Sequence, residues 1–197
     1  MKREEKHGSS LKNGLLYGAF VLLQFFVRVL PERLGDWIGR QLGLLSYYAL
    51  PDRRRVALEN IRSALGLAEA EAVELARKSF AAIGLLGVEF LRFAGRPDLV
   101  KKRVTTRNED IMREALALGR GVLLLPSHLG NWELLGQYLG LANYRVHPIV
   151  KVQANRRFYE VVDRIRRQAG LLPIAKGKLS LREIVRALRR GDCVSII

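Results

Sequence analysis

The sequence predicts an α/β fold in which a mostly parallel or mixed sheet is flanked by helices, preceded by an N-terminal helical membrane-associated region. Two observations carry this prediction. After residue 100, short apolar runs alternate with helical patterns, as in parallel sheets whose strands are joined by helices. Before that alternation, the N-terminal part of the chain contains two apolar and aromatic segments.

Length, charge and cysteine content limit the class of protein. The 197 residues suffice for one substantial core, and 49% hydrophobic with 27% charged residues is typical of a folded chain. The net charge of +15 favours an anionic partner, which can be nucleic acid, an acidic protein or anionic lipid headgroups. The single cysteine, Cys193, excludes an internal disulfide framework and fits a reducing compartment; we interpret it as a small buried apolar residue.

Residues 1–50 are interpreted as a basic leader followed by a membrane anchor or re-entrant hairpin. The apolar run at 14–27 is interrupted by Arg28 and is shorter than the ~20 residues of a spanning helix. A second apolar stretch runs from 34 to 50, and no cleavage site typical of a signal peptide follows the first. We expect the leader on the cytoplasmic side; the alternative is a pair of amphipathic helices packed on the domain.

Two helices are predicted next. Asp52 is a suitable N-cap for the first, and Gly66 ends it. The second runs from Glu69 to Phe93 and is broken by the sequence Gly-Arg-Pro that ends at Pro97.

Residues 51–197 are assigned to one α/β domain, in which the alternation is read as follows. The predicted strands are 104–106, 122–125, 145–150, 171–175 and 193–197, and the predicted helices between them are 109–118, 131–141, 155–168 and 180–190.

A candidate site follows the strand at 122–125, because sites in open α/β sheets form at the carboxyl ends of strands. Gly130 permits a tight turn there, and Asn131 is a good N-cap, so a helix begins beside His128. Across this loop-to-helix junction, Glu133 can fold back and hold one imidazole nitrogen, which leaves the other free to accept a proton.

The spacing of His128 and Glu133 is weak evidence by itself. Because 19 of 197 residues are acidic, an acid falls at any given spacing about a tenth of the time. The alternative is a surface histidine beside a carboxylate that complements the helix dipole. By the same reasoning, His147 is interpreted as an ordinary strand residue.

The context of these residues is more specific. The strand and His-Leu-Gly-Asn-Trp-Glu at 121–133, the arginine-rich segment 54–62, the segment 155–170 and Leu-Arg-Arg-Gly at 188–191 occur together. At these positions the chain resembles the late acyltransferases of lipid A synthesis, of the lauroyl/myristoyl type. That family carries a His-x4-Glu form of the broader His-x4-Asp motif of glycerophospholipid acyltransferases. The resemblance covers nearly the whole chain.

The resemblance implies transfer of a fatty acyl group from acyl carrier protein to a hydroxyl of a lipid A precursor. His128 would take the proton of the hydroxyl, and Glu133 would orient the imidazole. The backbone amides from Gly130 to Trp132 are candidates for binding the thioester oxyanion, and Trp132 would pack at the helix start or against an acyl chain. We expect no metal and no cofactor. The resemblance also implies the cytoplasmic face of the inner membrane, with the N-terminal segment as anchor.

Arg166 is the candidate residue for an anionic group. On the helix predicted at 155–168, it lies about 80° from the middle of the apolar stripe, whereas Arg167 lies nearly opposite that stripe. Arg166 also matches an arginine that the family places four residues before a glycine, here Gly170. This resemblance assigns it to an acceptor phosphate or the developing oxyanion; the alternative is a solvated arginine.

Several functions remain open at the level of sequence. Acyl carrier protein is acidic, so the positive charge suits that donor, the precursor phosphates and an anionic membrane. A nucleic-acid-binding protein also fits the charge, but the basic residues are dispersed and neither zinc spacing nor an RNA-binding motif occurs. A relative that acylates another glycolipid, such as a phosphatidylinositol mannoside, and a noncatalytic membrane-associated homologue are further alternatives.

The end of the sequence carries one more expectation. Ile197 lies inside the last predicted strand, where the family pattern continues with an aspartate-containing segment and further sheet and helix. We therefore expect a C-terminally incomplete acyltransferase that is weakly active or inactive.

Overall fold

The computed structural model describes Gly18 and residues 21–153, 156–177 and 180–196. It divides into two compact units, which are named here by their content. The helical unit is Leu23–Arg92, and the sheet unit comprises those residues of Met1–Leu22 and Phe93–Ile197 that the structure describes. The division predicted between residues 50 and 51 falls inside the helical unit.

From residue 21 to residue 93, the described part of the chain forms four helices: α1 (residues 21–29), α2 (Glu32–Ala49), α3 (Pro51–Leu65) and α4 (Glu69–Phe93). The bounds of α4 are those predicted, and Gly66 ends α3 with φ of 63°, also as predicted. The prediction that Asp52 is the N-cap of α3 is wrong. The helix begins one residue earlier at Pro51, because proline suits the first helical position, and Asp52 falls in the first turn.

Glycines bring α2 and α4 into backbone contact. A Cβ atom at Gly39 would lie 2.8 Å from Val88 Cγ2, and a Cβ atom at Gly84 would collide with the Gly39 carbonyl. At one end of this contact, Arg92 Nη1 donates to Asp36 Oδ1 at 2.7 Å. The two helices are thus fixed by main-chain proximity and by a half-buried ion pair.

The predicted membrane anchor is not confirmed. The basic leader and part of the anchor lie at residues 1–17, 19 and 20, outside the described residues. Among the residues that are described, no helix combines the length and apolarity needed to cross a membrane. The helical unit nevertheless exposes large apolar side chains on α1 and α2: Phe25, Phe26, Val29, Trp37 and Leu45.

The sheet unit confirms the α/β prediction. Its strands are β1 (Val122–Leu124), β2 (Val146–Val150), β3 (Ile174–Ala175) and β4 (Cys193–Ser195). Its helices are α5 (Pro97–Arg103), α6 (Glu109–Ala117), α7 (Trp132–Leu141), α8 (Arg156–Gln168) and α9 (Ser180–Arg189). All described strand pairs are parallel, in the order β1-β4-β2-β3. The sheet is therefore wholly parallel in the part of the chain described.

The strand predicted at 104–106 is wrong, and helix α5 was not predicted. Pro97 occupies the first position of α5, and the chain after this helix is irregular. Thr106 serves the next helix instead, because its hydroxyl donates to Glu109 Oε2 at 2.9 Å at the start of α6. Three consecutive β-branched residues are therefore not sufficient to predict a strand, because here they form the irregular segment that leads into a helix.

The strand order determines where the helices lie. The connections through α7 and α8 move across the sheet in one direction, and the connection through α9 returns. Since parallel crossovers are right-handed, α7 and α8 cover one face and α9 covers the other. The core between these layers centres on Val146, Leu171 and Cys193, which are buried. The interpretation of Cys193 as a buried apolar residue is confirmed.

Candidate functional site

The loop after β1 carries the predicted histidine at the carboxyl edge of the sheet. Gly130 has φ of 65°, a conformation that favours glycine and turns the chain toward α7. Asn131 caps the helix, since its side-chain oxygen accepts a hydrogen bond of 2.9 Å from the backbone N–H of Leu134. The predicted N-cap is therefore confirmed, and α7 begins directly beside the loop.

His128 is exposed and contacts the first residue of α7. Its ring centroid lies 4.7 Å from that of Trp132, and the two rings are tilted by 59°. The imidazole nitrogens hydrogen-bond no residue in the described part of the chain. The ring thus rests on the indole while both nitrogens remain accessible.

Glu133 and Arg166 form a two-pronged ion pair. Arg166 Nε donates to Glu133 Oε2 at 3.2 Å, and Arg166 Nη2 donates to Glu133 Oε1. The two side chains are 15% and 19% exposed, so the pair is largely withdrawn from water. The predicted hydrogen bond from the imidazole of His128 to Glu133 is not formed within the described residues, because the carboxylate faces α8.

The pair depends on a close crossing of α7 with the end of α8. A Cβ atom at Gly140 would collide with the Ala169 carbonyl, and a Cβ atom at Gly170 would lie 2.8 Å from Gly140 O. Because Glu133 and Gly140 lie on the same side of α7, this contact brings the carboxylate to Arg166. The sequence signals of this crossing are Gly140 on α7 and Gly170 after α8, which lie 30 residues apart and form no short motif.

Arg166 and Arg167 differ as their helical positions predict. Arg167 is exposed, and its Nε donates to Asp163 Oδ2 at 2.6 Å, one turn earlier on α8. Arg166 lies at the boundary and pairs across to α7. It uses Nε and Nη2 on Glu133, so its Nη1 group retains donors for another anion.

Exposed apolar side chains lie at the same edge of the sheet as the imidazole of His128. Leu125 and Leu129 flank His128 and are 78% and 84% exposed. Val152 after β2 and Ile196 after β4 are also exposed, and both follow strands whose carboxyl ends lie at the same edge as the loop. This edge therefore combines an accessible proton acceptor, a charged pair and apolar surface.

A second histidine cluster was missed by sequence analysis. His147 Nε2 lies 2.9 Å from Asp192 Oδ2, and Asp192 also accepts hydrogen bonds from Arg145 Nε at 2.8 Å and Arg190 Nε at 3.2 Å. Asp192 is 3% exposed. Burial by itself raises the pKa of Asp192, but the hydrogen bonds from His147, Arg145 and Arg190 outweigh it and hold that pKa below its ordinary value.

The position of this cluster separates it from the first. Arg145 precedes β2 and Asp192 precedes β4, so the cluster lies at the amino ends of the strands, opposite the loop of His128. The acid lies 45 residues after His147, a separation that no short motif records.

The donor set for a metal is also informative. Within the described ranges, no group of three or more histidine, cysteine, aspartate or glutamate side chains is close enough to hold a metal ion.

A protein-family model matches the chain over almost its whole length. A model of the family described as bacterial lipid A biosynthesis acyltransferase matches residues 2–197. Comparison with curated proteins finds no match. The family match covers nearly the whole chain and confirms the resemblance that the motifs indicated.

Proposed function

Because the chain belongs to the bacterial lipid A biosynthesis acyltransferase family, we propose that it transfers a fatty acyl group from acyl carrier protein to a hydroxyl of a lipid A precursor. The observation that carries this proposal is the exposed, unbonded imidazole of His128 at the carboxyl edge of a parallel sheet. Leu125 and Leu129 beside it offer apolar surface to an acyl chain.

The proposed reaction needs a base and no covalent enzyme intermediate. His128 accepts the proton of the acceptor hydroxyl as the oxygen attacks the thioester carbonyl. The carbon–sulfur bond of the resulting tetrahedral intermediate then breaks, and the imidazolium returns its proton to the departing thiolate. The products are the ester and the free thiol of the carrier. Ser127 has no part in this sequence.

The oxyanion needs donors that are already in position. The amides of Trp132 and Glu133 lie in the first turn of α7, where backbone N–H groups have no intrahelical acceptor. The helix N-terminus adds a favourable dipole for negative charge. Gly130 supports this arrangement, because its left-handed conformation brings the loop directly onto the helix start.

We assign Arg166 to the acceptor phosphate or the oxyanion, with Glu133 as its partner before substrate arrives. The free donors of Nη1 allow the guanidinium to meet an anion while it still holds Glu133. In the next step the guanidinium of Arg166 turns its remaining donors from Glu133 to the anion. The carboxylate of Glu133 can then accept a hydrogen bond from the imidazole of His128. Hydrogen bonds between catalytic groups commonly tighten only in the substrate complex, which is consistent with their separation here.

The proposed location is the cytoplasmic face of the inner membrane. Support comes from the net charge of +15, which suits anionic headgroups, and from the exposed aromatic and aliphatic side chains of α1 and α2. Phe25, Phe26 and Trp37 are the largest of these side chains.

The proposal is tested by product analysis. The purified chain is incubated with acyl carrier proteins bearing several chain lengths and with a tetra-acylated lipid A precursor, and the products are read by mass spectrometry. One added acyl group is expected, and it should be absent with His128→Ala. A phosphatidylinositol mannoside is the control acceptor. Acylation of that glycolipid alone would replace the proposed acceptor. No transfer to either acceptor, both by this chain and by the same chain extended with a relative's C-terminal third, would contradict the proposal.

A further inference from the structure

Helix α9 presents a row of arginines to solvent. They lie at the spacing i, i+4 and i+7, which places them on one side of a helix. That side lies roughly opposite the one formed by Ile184, Ala187 and Leu188, of which Ala187 is fully buried. The α9 arginine stripe consists of Arg182, Arg186 and Arg189.

The charges of this stripe are not neutralised within the protein. The side chains of its three arginines make no ion pair or hydrogen bond with any described residue. On helix α8, Arg156 pairs with Glu160 and Arg167 pairs with Asp163 one turn away, whereas Arg157 and Arg164 have no partner in the described chain. On α9 the one acidic residue, Glu183, pairs with none of the three arginines, so the stripe keeps its positive charge.

Apolar side chains border the stripe on one flank. Leu181 is 71% exposed and Val185 is 38% exposed, and both lie between the arginines and the buried side of α9. Three cations beside two accessible aliphatic groups complement an acidic helix that carries apolar side chains of its own.

The direction of α9 links the stripe to the candidate site. The helix follows β3 and begins at the carboxyl edge of the parallel sheet, the edge that also carries the loop of His128. Arg182 lies in its first turn, so the stripe starts at that edge. A partner bound along α9 can thus deliver a flexible prosthetic arm toward the site.

We infer that the α9 arginine stripe, with Leu181 and Val185, is the docking surface for the acidic carrier protein that delivers the acyl group. The inference rests on the proposed function, in which that protein is the donor. A membrane is the weaker fit, because the wide apolar side of α9 is turned onto the sheet and only two aliphatic groups remain outside.

The test compares two variants with the same change in net charge. The stripe variant carries Arg182→Glu, Arg186→Glu and Arg189→Glu. The control carries Lys101→Glu, Lys102→Glu and Arg107→Glu, which replace exposed residues that have no ion partner in the described chain. Thermal melting and circular dichroism establish that both are folded. We expect the stripe variant to raise the KM for acyl carrier protein about 10-fold or more with little change in kcat, and the control less than about 3-fold.

An acyl donor that lacks the carrier protein separates an effect on docking from an effect on the acyl-transfer step. With a neutral S-acyl pantetheine thioester, the wild type and the stripe variant should turn over at equal rates. Raising the ionic strength from about 0.1 M to about 1 M shortens the screening length from about 10 Å to about 3 Å, so the KM difference should largely disappear.

Direct binding separates the outcomes. Titration of fluorescently labelled holo carrier protein should show weaker binding to the stripe variant than to the control. Equal binding, with the wild type still active with the carrier, would overturn the docking inference and leave the proposed function standing. Loss of flotation with anionic vesicles and unchanged KM would identify the stripe as a lipid contact. No carrier binding by the wild type would contradict both the inference and the proposed donor.

Discussion

The two edges of the parallel sheet use the same residue types in opposite ways. At the amino edge, His147 is buried and bonded to Asp192, and arginines complete the coordination of the carboxylate. At the carboxyl edge, His128 is exposed and unbonded, and the nearby carboxylate is held by Arg166. The first histidine is satisfied by the protein, whereas the second can accept a proton from outside. Solvent access and free bonding capacity therefore distinguish a structural histidine from a candidate base.

Replacing each histidine by alanine should give the largest difference between the two edges. His128→Ala is expected to lower turnover by ~10²–10⁴-fold with an unchanged unfolding midpoint, because the side chain is exposed. His147→Ala should instead lower the free energy of unfolding by about 1–3 kcal/mol and leave turnover per folded molecule unchanged. Steady-state assays and urea titration measure the two effects. Near wild-type turnover of folded His128→Ala would contradict the base assignment.

Two adjacent arginines, Arg166 and Arg167, test which charged side chain contributes to transfer. Arg166→Ala should reduce transfer by about 100-fold, because it removes the half-buried partner of Glu133 and a donor for an anion. Arg167→Ala should change it by less than about 3-fold, since it loses only an exposed pair within one helix. Arg166→Lys should restore transfer only in part, because lysine lacks the planar fork. Equal small effects of both alanine variants would show that Arg166 has no role in transfer.

The glycine crossing offers a smaller effect, which acts through the position of the Glu133–Arg166 pair. Gly140→Ala forces apart α7 and the end of α8, and we expect transfer to fall by about 10-fold or more as Glu133 and Arg166 separate. Gly136→Ala is the matched control, because its Cβ atom would lie 3.4 Å from the flexible Leu171 side chain. It should retain transfer. Equal losses in kcat for both folded variants would show that the crossing does not position the pair.

The amino edge should respond to pH. The pKa of Asp192 lies below its ordinary value, so its contribution to stability is fully present above the unfolded-state pKa of about 4. That contribution is lost as the pH falls through the folded-state pKa. Asp192→Asn should therefore be less stable than the wild type by about 2 kcal/mol at pH 6. The difference should shrink progressively below about pH 4, as followed by urea unfolding; a constant difference down to pH 2 would exclude this linkage.

The elements that sequence predicted well are those whose signals are local. Helical periodicity predicted the bounds of α4, and Gly66 predicted the end of α3. Asn131 predicted the start of α7, because its own side chain caps that helix. The prediction of a strand at 104–106 was wrong because three β-branched residues do not specify a neighbouring strand with which to pair. Whether such a run becomes a strand depends on a neighbour elsewhere in the chain.

The site shows the same limit. The positions of His128 and Glu133 follow from one motif, but the partner of Glu133 is 33 residues away and arrives through the packing of α8 on α7. The Asp192 cluster is assembled from residues before two different strands. Contacts of this kind depend on tertiary arrangement, so spacing along the chain predicted neither.

The backbone crossing at Gly140 and Gly170 also bears on how the protein can evolve. The charged pair is positioned by main chain, whereas Leu125 and Leu129 have almost no packing partners that a substitution would disturb. Mutations at these two leucines are therefore nearly free of folding cost. Selection can therefore change the size and shape of the apolar surface beside His128 one residue at a time, while the Glu133–Arg166 ion pair stays unchanged. Substrate preference in such a scaffold can drift faster than its chemistry.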